Sequence, residues 1–499
     1  MAVCNFPQTS PPIGQASTSC LRKFTIHFRR PNKLKEKSNY SYRGEYGFDW
    51  LRDEYIYPME KVTFDKFINL KLTKCTPLCP TKYIPNLKNE YLKDIKKEHI
   101  IKPHGQDYYP AWLSIFACNV RSNKANPNAG STMHNKGVYL DLQLDEIDKI
   151  VSDDTEIIFK PSKPCLKITP NKISIKEFLK TSIKKRELNG DTRKPVINYY
   201  LLKNAVKIMC QGDTLKQHER IRVFAKLGST EYEVGQLMVY QNDNVPKANI
   251  VVVNVITKYD NNNNKIPLET YKSFEYLFKF QSFNQAMIRA EVSAGEDFDL
   301  VALSNKYGDV KKFLDDTKEN SNYMKGLKIN PYTHKKIDPA IDIRNRLRVL
   351  YEKYGKHAPK LDGKKINDMG HYNTYLLFTK LNPNGGRTLG VADLQPNPKT
   401  KNYEWGNIFV IFQSGLKRPR TIVHEAAHTF TLPHIFEPSS LSNKPKFHQG
   451  YTENYMDYTW HPNSLVKGDN SPNKYNEKMY SFFKWQWDMM RNDKKSIKY

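Results

Sequence analysis

The chain has 499 residues, with 79 Lys and Arg against 52 Asp and Glu, a formal net charge of +27. Domains usually hold ~100–200 residues, so two to four are expected. Hydrophobic residues at 39% and aromatics at 12% exclude a disordered chain. A mean hydropathy of −0.70, with no apolar run near ~18 residues, excludes a spanning helix.

The first residues, MAVCNFPQTSPPIGQASTSC, hold no basic segment followed by an apolar stretch of ~7–15 residues, so no ordinary secretory signal is expected. The cysteines are Cys4, Cys20, Cys75, Cys79, Cys118, Cys165 and Cys210. Cys75 and Cys79 are close enough for a bridge or half a metal site. No second Cys/His pair follows at zinc-finger spacing, so mostly reduced thiols are expected. The positive charge is spread evenly: 29 Lys/Arg against 15 Asp/Glu from Ser321 onward, and 50 against 37 before it. The short runs Lys184-Lys185-Arg186 and Lys417-Arg418-Pro419-Arg420 carry no interleaved stacking residues. A solvated basic surface is expected, with no nucleic-acid partner.

In chain order, Phe24–Phe28, Val138–Leu144 and Glu156–Lys160 alternate apolar and polar residues and predict strands with one buried face. Asn123–Gly130 reads as a loop. Gly44–Asp53 and Tyr108–Trp112 are aromatic-rich and read as core or interdomain packing. Ile221–Lys226, Gly235–Tyr240 and Ile250–Ile256 predict a second, small β-sandwich. Asp260–Lys265 is a polar loop that predicts a boundary. The expected division is therefore a β-rich module over 1–190, a sandwich-like module over 191–265, and an α/β domain over 266–499. In that last region Ile341, Ile343, Leu347, Leu350 and Tyr351 lie at helical spacing. Tyr375–Thr379, Thr388–Leu394 and Ile408–Phe412 predict strands, the second near an edge. A helix begins near Thr421.

That helix carries His424-Glu-Ala-Ala-His428 and, ten residues after the first histidine, His434. Residues four apart share one helix face, so His424 and His428 can bind one Zn²⁺. Glu425 can then sit beside the metal and take a proton from an activated water. Pro433 fits a helix end that lets His434 turn back as third ligand. Asn454-Tyr-Met456-Asp-Tyr458 is a candidate Met-turn.

These residues resemble the metzincin metalloproteases, and within them the pappalysin/cytophagalysin type. Phe436 two residues after His434, the N-x-M-D-Y pattern and the aromatic Tyr480–Met490 segment carry that resemblance over roughly residues 370 to 495. It implies a zincin fold and a zinc-dependent endopeptidase. His424, His428 and His434 would be the zinc ligands and Glu425 the general base. Met456 would form the floor of the site. Tyr458 would pack there or stabilise the developing oxyanion. Thr388–Leu394 resembles the strand that aligns an extended peptide.

Thr431 stands where that family has Gly. The turn must then take another path, or a β-branched residue must bear positive φ. His371 reads as structural, and His448 and His461 as loop residues beside the Met-turn. The first 190 or so residues resemble adaptor regions of type VI secretion effectors. This implies an effector or toxin exported without a classical signal, with secretion-apparatus proteins and an immunity protein as partners beside the peptide substrate. The alternative expectation is a binding or structural module of a secretion apparatus carrying a degenerate zincin domain.

Overall fold

The computed structural model describes residues 21, 23–31, 42–59, 76–121, 130–187, 196–331, 333–358, 372–396, 403–437, 444–462, 470–476 and 478–499. Cys4, Cys20, Cys75, His371 and most of the Asn123–Gly130 segment lie outside them.

Strands β1 (Phe24–Arg29), β2 (Gly47–Asp49), β3 (Ala111–Ser114), β4 (Val138–Glu146), β5 (Glu156–Pro161), β6 (Val196–Gln211), β7 (Glu219–Leu227) and β8 (Thr230–Val239) build two sheets. One runs β1, β4, β6 and Lys184–Glu187. The other runs Lys172–Ser174, β5, β7, β8, β3 and β2. Their inner faces close one core, with Phe24, Ile26, Phe28, Leu140, Leu142 and Leu144 against Ile157, Phe159, Ile221 and Leu237. In β4 the alternation sends Val138, Leu140, Leu142 and Leu144 inward and leaves Tyr139 exposed, as a pleated strand requires.

This pairing redraws the expected boundaries. Residues 191–265 are not one module: β6 pairs with β4, and β7 pairs with both β5 and β8. A single sandwich therefore spans 24–239. The next strand, β9 (Lys247–Ile256), leaves it for a third sheet. Its near-continuous apolar run marks a parallel strand covered on both faces, not a sandwich strand. Asp260–Lys265 is an exposed turn inside the α/β layer, not the border of it.

The third sheet also holds β10 (Asn373–Thr379), β11 (Gly390–Pro396) and β12 (Tyr403–Ile411), in the order Arg289–Val292, β9, β10, β12, β11. β9, β10 and β12 run parallel, and β11 lies antiparallel at the edge. Helix α1 (Pro339–Tyr354) covers one face, where Ile343, Leu347, Leu350 and Tyr351 meet Tyr375, Leu377, Ile408 and Val410. Asp338 caps it by accepting from Ala340 N at 2.9 Å. Ile341, expected in that apolar stripe, is instead 45% exposed. Helix α2 (Pro419–Thr429) packs on the other face, with Ile422, Val423, Ala426 and Ala427 against Leu376, Phe378, Phe409 and Ile411.

Sandwich and α/β layer share a core. Trp112, Met238 and Tyr240 pack with Trp485, Trp487 and Met490 of helix α3 (Lys484–Arg491). The Tyr240 hydroxyl donates to Asp488 at 2.7 Å. Arg30 and Arg52 both pair with Glu453, just before the Met-turn segment. Cys79, Cys118, Cys165 and Cys210 are free and buried. Among the described residues no helix is long and apolar enough to cross a membrane.

Candidate metal centre

Pro419 opens α2 in its first turn, where a missing N–H costs nothing. His424 and His428 follow one turn apart. The helix closes at Thr429, four residues before Pro433, so the proline is not what ends it. The turn is made at Thr431, whose φ of 69° is left-handed. The chain thus follows the path a glycine would give, and a threonine bears it. Left-handed backbone costs an ordinary residue roughly 1–2 kcal/mol. Two hydrogen bonds offset it, from Thr431 N to His428 O at 2.9 Å and from Leu432 N to Ala427 O at 3.2 Å. The Ser496 hydroxyl donates to Thr429 O at 2.8 Å and ties down the helix end.

The turn brings His434 back. Its Nε2 lies 3.0 Å from His424 Nε2 and 3.2 Å from His428 Nε2. The other ring nitrogens of His424 and His428 are bonded to backbone carbonyls. His424 Nδ1 donates to Tyr455 O at 2.7 Å and His428 Nδ1 to Leu432 O at 2.6 Å. His434 Nδ1 lies 2.8 Å from Glu437. These bonds fix the tautomer, so the Nε2 lone pairs of His424 and His428 face inward. Burial, with the neighbouring ring of His434, pushes the His424 pKa down to about 3 and that of His428 well below its ordinary value. Both are therefore neutral, as ligation requires. Tetrahedral bonds of ~2.0–2.1 Å to zinc would set nitrogens about 3.3 Å apart. The triad can hold a metal ion, and among the described residues these histidines are the one cluster of such groups.

Glu425 lies beside the triad, against edge strand β11. Burial raises its pKa to about 8, opposed by the backbone N–H of Ala392 and the charge of Arg344. Gly390 makes this approach possible: a Cβ there would lie 2.8 Å from Glu425 Cγ. Tyr458 stands edge-on to His434, centroids 4.9 Å apart, and to Phe436 at 4.8 Å. Burial, then the Glu437 and Glu425 carboxylates, push its phenol up, so it keeps its proton. Met456 is fully buried. Its N–H donates to Asn454 Oδ1 at 2.8 Å and its carbonyl accepts from Ile435, next to His434, at 3.3 Å. Asp457 accepts from Gly450 N, Thr452 N, Thr452 Oγ1 and Tyr458 N, and so locks the turn.

The sequence pattern gathers His424, Glu425, His428, His434, Met456 and Tyr458, and the structure brings them together. It leaves out Trp405, which stacks on His428 at 4.0 Å, and Arg344 and Ala392, which no motif marks. A glycine inside an edge strand was the one available sign of Gly390. His461 stacks on Tyr451 at 4.4 Å and His448 is half-buried. Neither belongs to the ligand cluster.

No protein-family model matches this chain, and no curated protein is similar to it.

Proposed function

We propose that the chain is a zinc-dependent endopeptidase of metzincin type, with His424, His428 and His434 as ligands and Glu425 as proton acceptor. The observation that carries this reading is the convergence of three histidine Nε2 atoms beside a buried carboxylate at a sheet edge. Zinc bound there supplies a Lewis acid that polarises a carbonyl and lowers the pKa of water. A nearby divalent cation also favours the carboxylate form of Glu425, which then accepts the proton of the attacking water and hands it to the leaving amine. Tyr458, protonated and beside His434, donates to the carbonyl oxygen as charge develops on it. The peptide adds to β11 in extended form, where the sheet edge offers main-chain hydrogen bonds. The intact donor set favours this reading over a degenerate domain that serves only as a binding module.

The test measures zinc per chain and cleavage of a quenched fluorescent peptide library by wild type and Glu425→Ala. Wild type is expected to hold about one zinc and to cleave. Glu425→Ala keeps the zinc and loses roughly 10²–10⁴-fold in rate, the usual worth of a general base. Full activity in that variant removes Glu425 from the chemistry, and a folded wild type that takes up no zinc sinks the reading.

A further inference from the structure

We propose that Arg344 is the positioning residue for Glu425, acting through the backbone of Ala392. The proposal rests on Glu425 being the proton acceptor. Phe412 N donates to Leu389 O at 3.0 Å, and the register pairs Val391 with Val410 and Ala392 with Phe409. In an antiparallel ladder the N–H and C=O of alternate residues point away from the partner strand, and Ala392 is one of these. Both of its outward groups meet side chains of the chain itself. The N–H faces the Glu425 carboxyl group and favours its charged form. The C=O accepts from Arg344 Nη1 at 2.5 Å.

Arg344 comes from α1, on the opposite face of the sheet from Glu425, and is only 3% exposed. Its Nε lies 3.2 Å from the fully buried Asp393, and its Nη2 donates to Asn345 Oδ1 at 2.8 Å. Asp393 also faces Arg348 at 3.6 Å, and Arg348 pairs with Glu352 at 3.2 Å. Opposite Asp393, β12 fits Gly406–Ile408 between the paired residues Trp405 and Phe409. Such a bulge re-aims the strand next to it. The guanidinium is thus held from several sides and holds residue 392 in turn. Residues 390 and 392 together fix where β11 meets the Glu425 side chain, whose Cγ packs against Gly390. Lysine keeps a charge for Asp393 but lacks the planar fork that reaches Asp393 and Ala392 together.

The test uses the full chain with Arg344→Lys, Arg344→Met, Glu425→Ala and the double variant Arg344→Lys/Glu425→Ala. The readouts are zinc content, kcat and KM on the peptide library, and hydrogen exchange of the Ala392 amide. Arg344→Lys is expected to keep its zinc, to hold KM near wild type and to lose about a hundredfold in kcat, the scale of a ~1 Å misplacement. Added to Glu425→Ala, it costs nothing further. The Ala392 amide exchanges about tenfold faster in Arg344→Lys and in Glu425→Ala alike, with α2 still protected. Unchanged exchange at Ala392 in Arg344→Lys overturns the proposal, as does an additive double variant. Loss of zinc in Arg344→Lys as well as in Arg344→Met makes the role one of packing and also overturns it. If wild type holds zinc yet cleaves nothing, the peptidase reading falls. Exchange at Ala392 then still decides whether Arg344 holds Glu425.

Discussion

His134 in the sandwich and His424 in the α/β layer are both buried, 4% and 8% exposed. Burial pushes both pKa values down, to about 4 and about 3. By those measures they are the same kind of residue. They differ in how many ring nitrogens the backbone uses. His134 Nδ1 accepts from Phe116 N at 2.8 Å, and its Nε2 donates to Glu45 O at 2.9 Å. His424 gives one nitrogen to Tyr455 O and turns the other toward two more histidines. A neutral imidazole has one donor and one acceptor. Spending both makes a structural strut, and spending only the donor leaves a lone pair that a metal could take. The depressed pKa reports burial and does not tell the two apart.

The widest contrast is expected from deletion. His428→Ala should take zinc from about one per chain to none by elemental analysis, because a three-ligand site loses a third of its donors. His134→Ala should leave zinc unchanged and cost stability instead, about 1–3 kcal/mol for each backbone group left without its partner. Zinc lost from both variants would erase the distinction.

A sharper contrast comes from pH. In metal-free protein the folded pKa of Glu425 is raised to about 8. The folded state then binds this proton more tightly than the unfolded chain, so the contribution of Glu425 to stability falls as pH rises from about 4.5 to 8. The histidines held neutral act with the opposite sign and at lower pH: stability rises between about 3 and 6.5 through His424 and between about 4 and 6.5 through His134. Denaturant melts of metal-free wild type and Glu425→Gln should therefore diverge across pH 4.5–8, with the glutamine variant gaining relative stability toward pH 8. Parallel curves would mean that Glu425 is solvated.

The smallest effect is expected at the turn. Thr431→Gly relieves the left-handed strain but adds freedom to the unfolded chain, worth roughly 0.4–1 kcal/mol the other way. Stability should rise by about 1 kcal/mol or less, with zinc intact. A larger gain in a melting experiment would mean that Thr431 is a strained element of the site.

Local pattern made the strands and helix α2 legible. β1, β4, β5 and β7 follow the alternation of their own residues. His424 and His428 declare themselves because helix geometry turns a spacing of four into one face, and Glu425 because it follows the first of them. The division into modules was only partly legible: the continuous apolar run of β9 sets it apart from β6, but neither strand names its own partner. Only long-range pairing sends β6 to β4 and β9 to β10. Arg344 stayed hidden for a similar reason. It sits 81 residues before Glu425, on the other side of a sheet, and acts through a backbone that any residue type would supply.

The bond from Ser496 to Thr429 joins positions 67 residues apart, and Ile497–Lys498 pairs with β9 at the far side of the sheet. At synthesis rates of roughly 5–20 residues per second, His424, His428 and His434 are made seconds before the end of α2 can be tied down. During that interval the nascent chain carries three histidines on an unfinished helix end. The end of α2 can therefore be tied down only after Ser496 has been made.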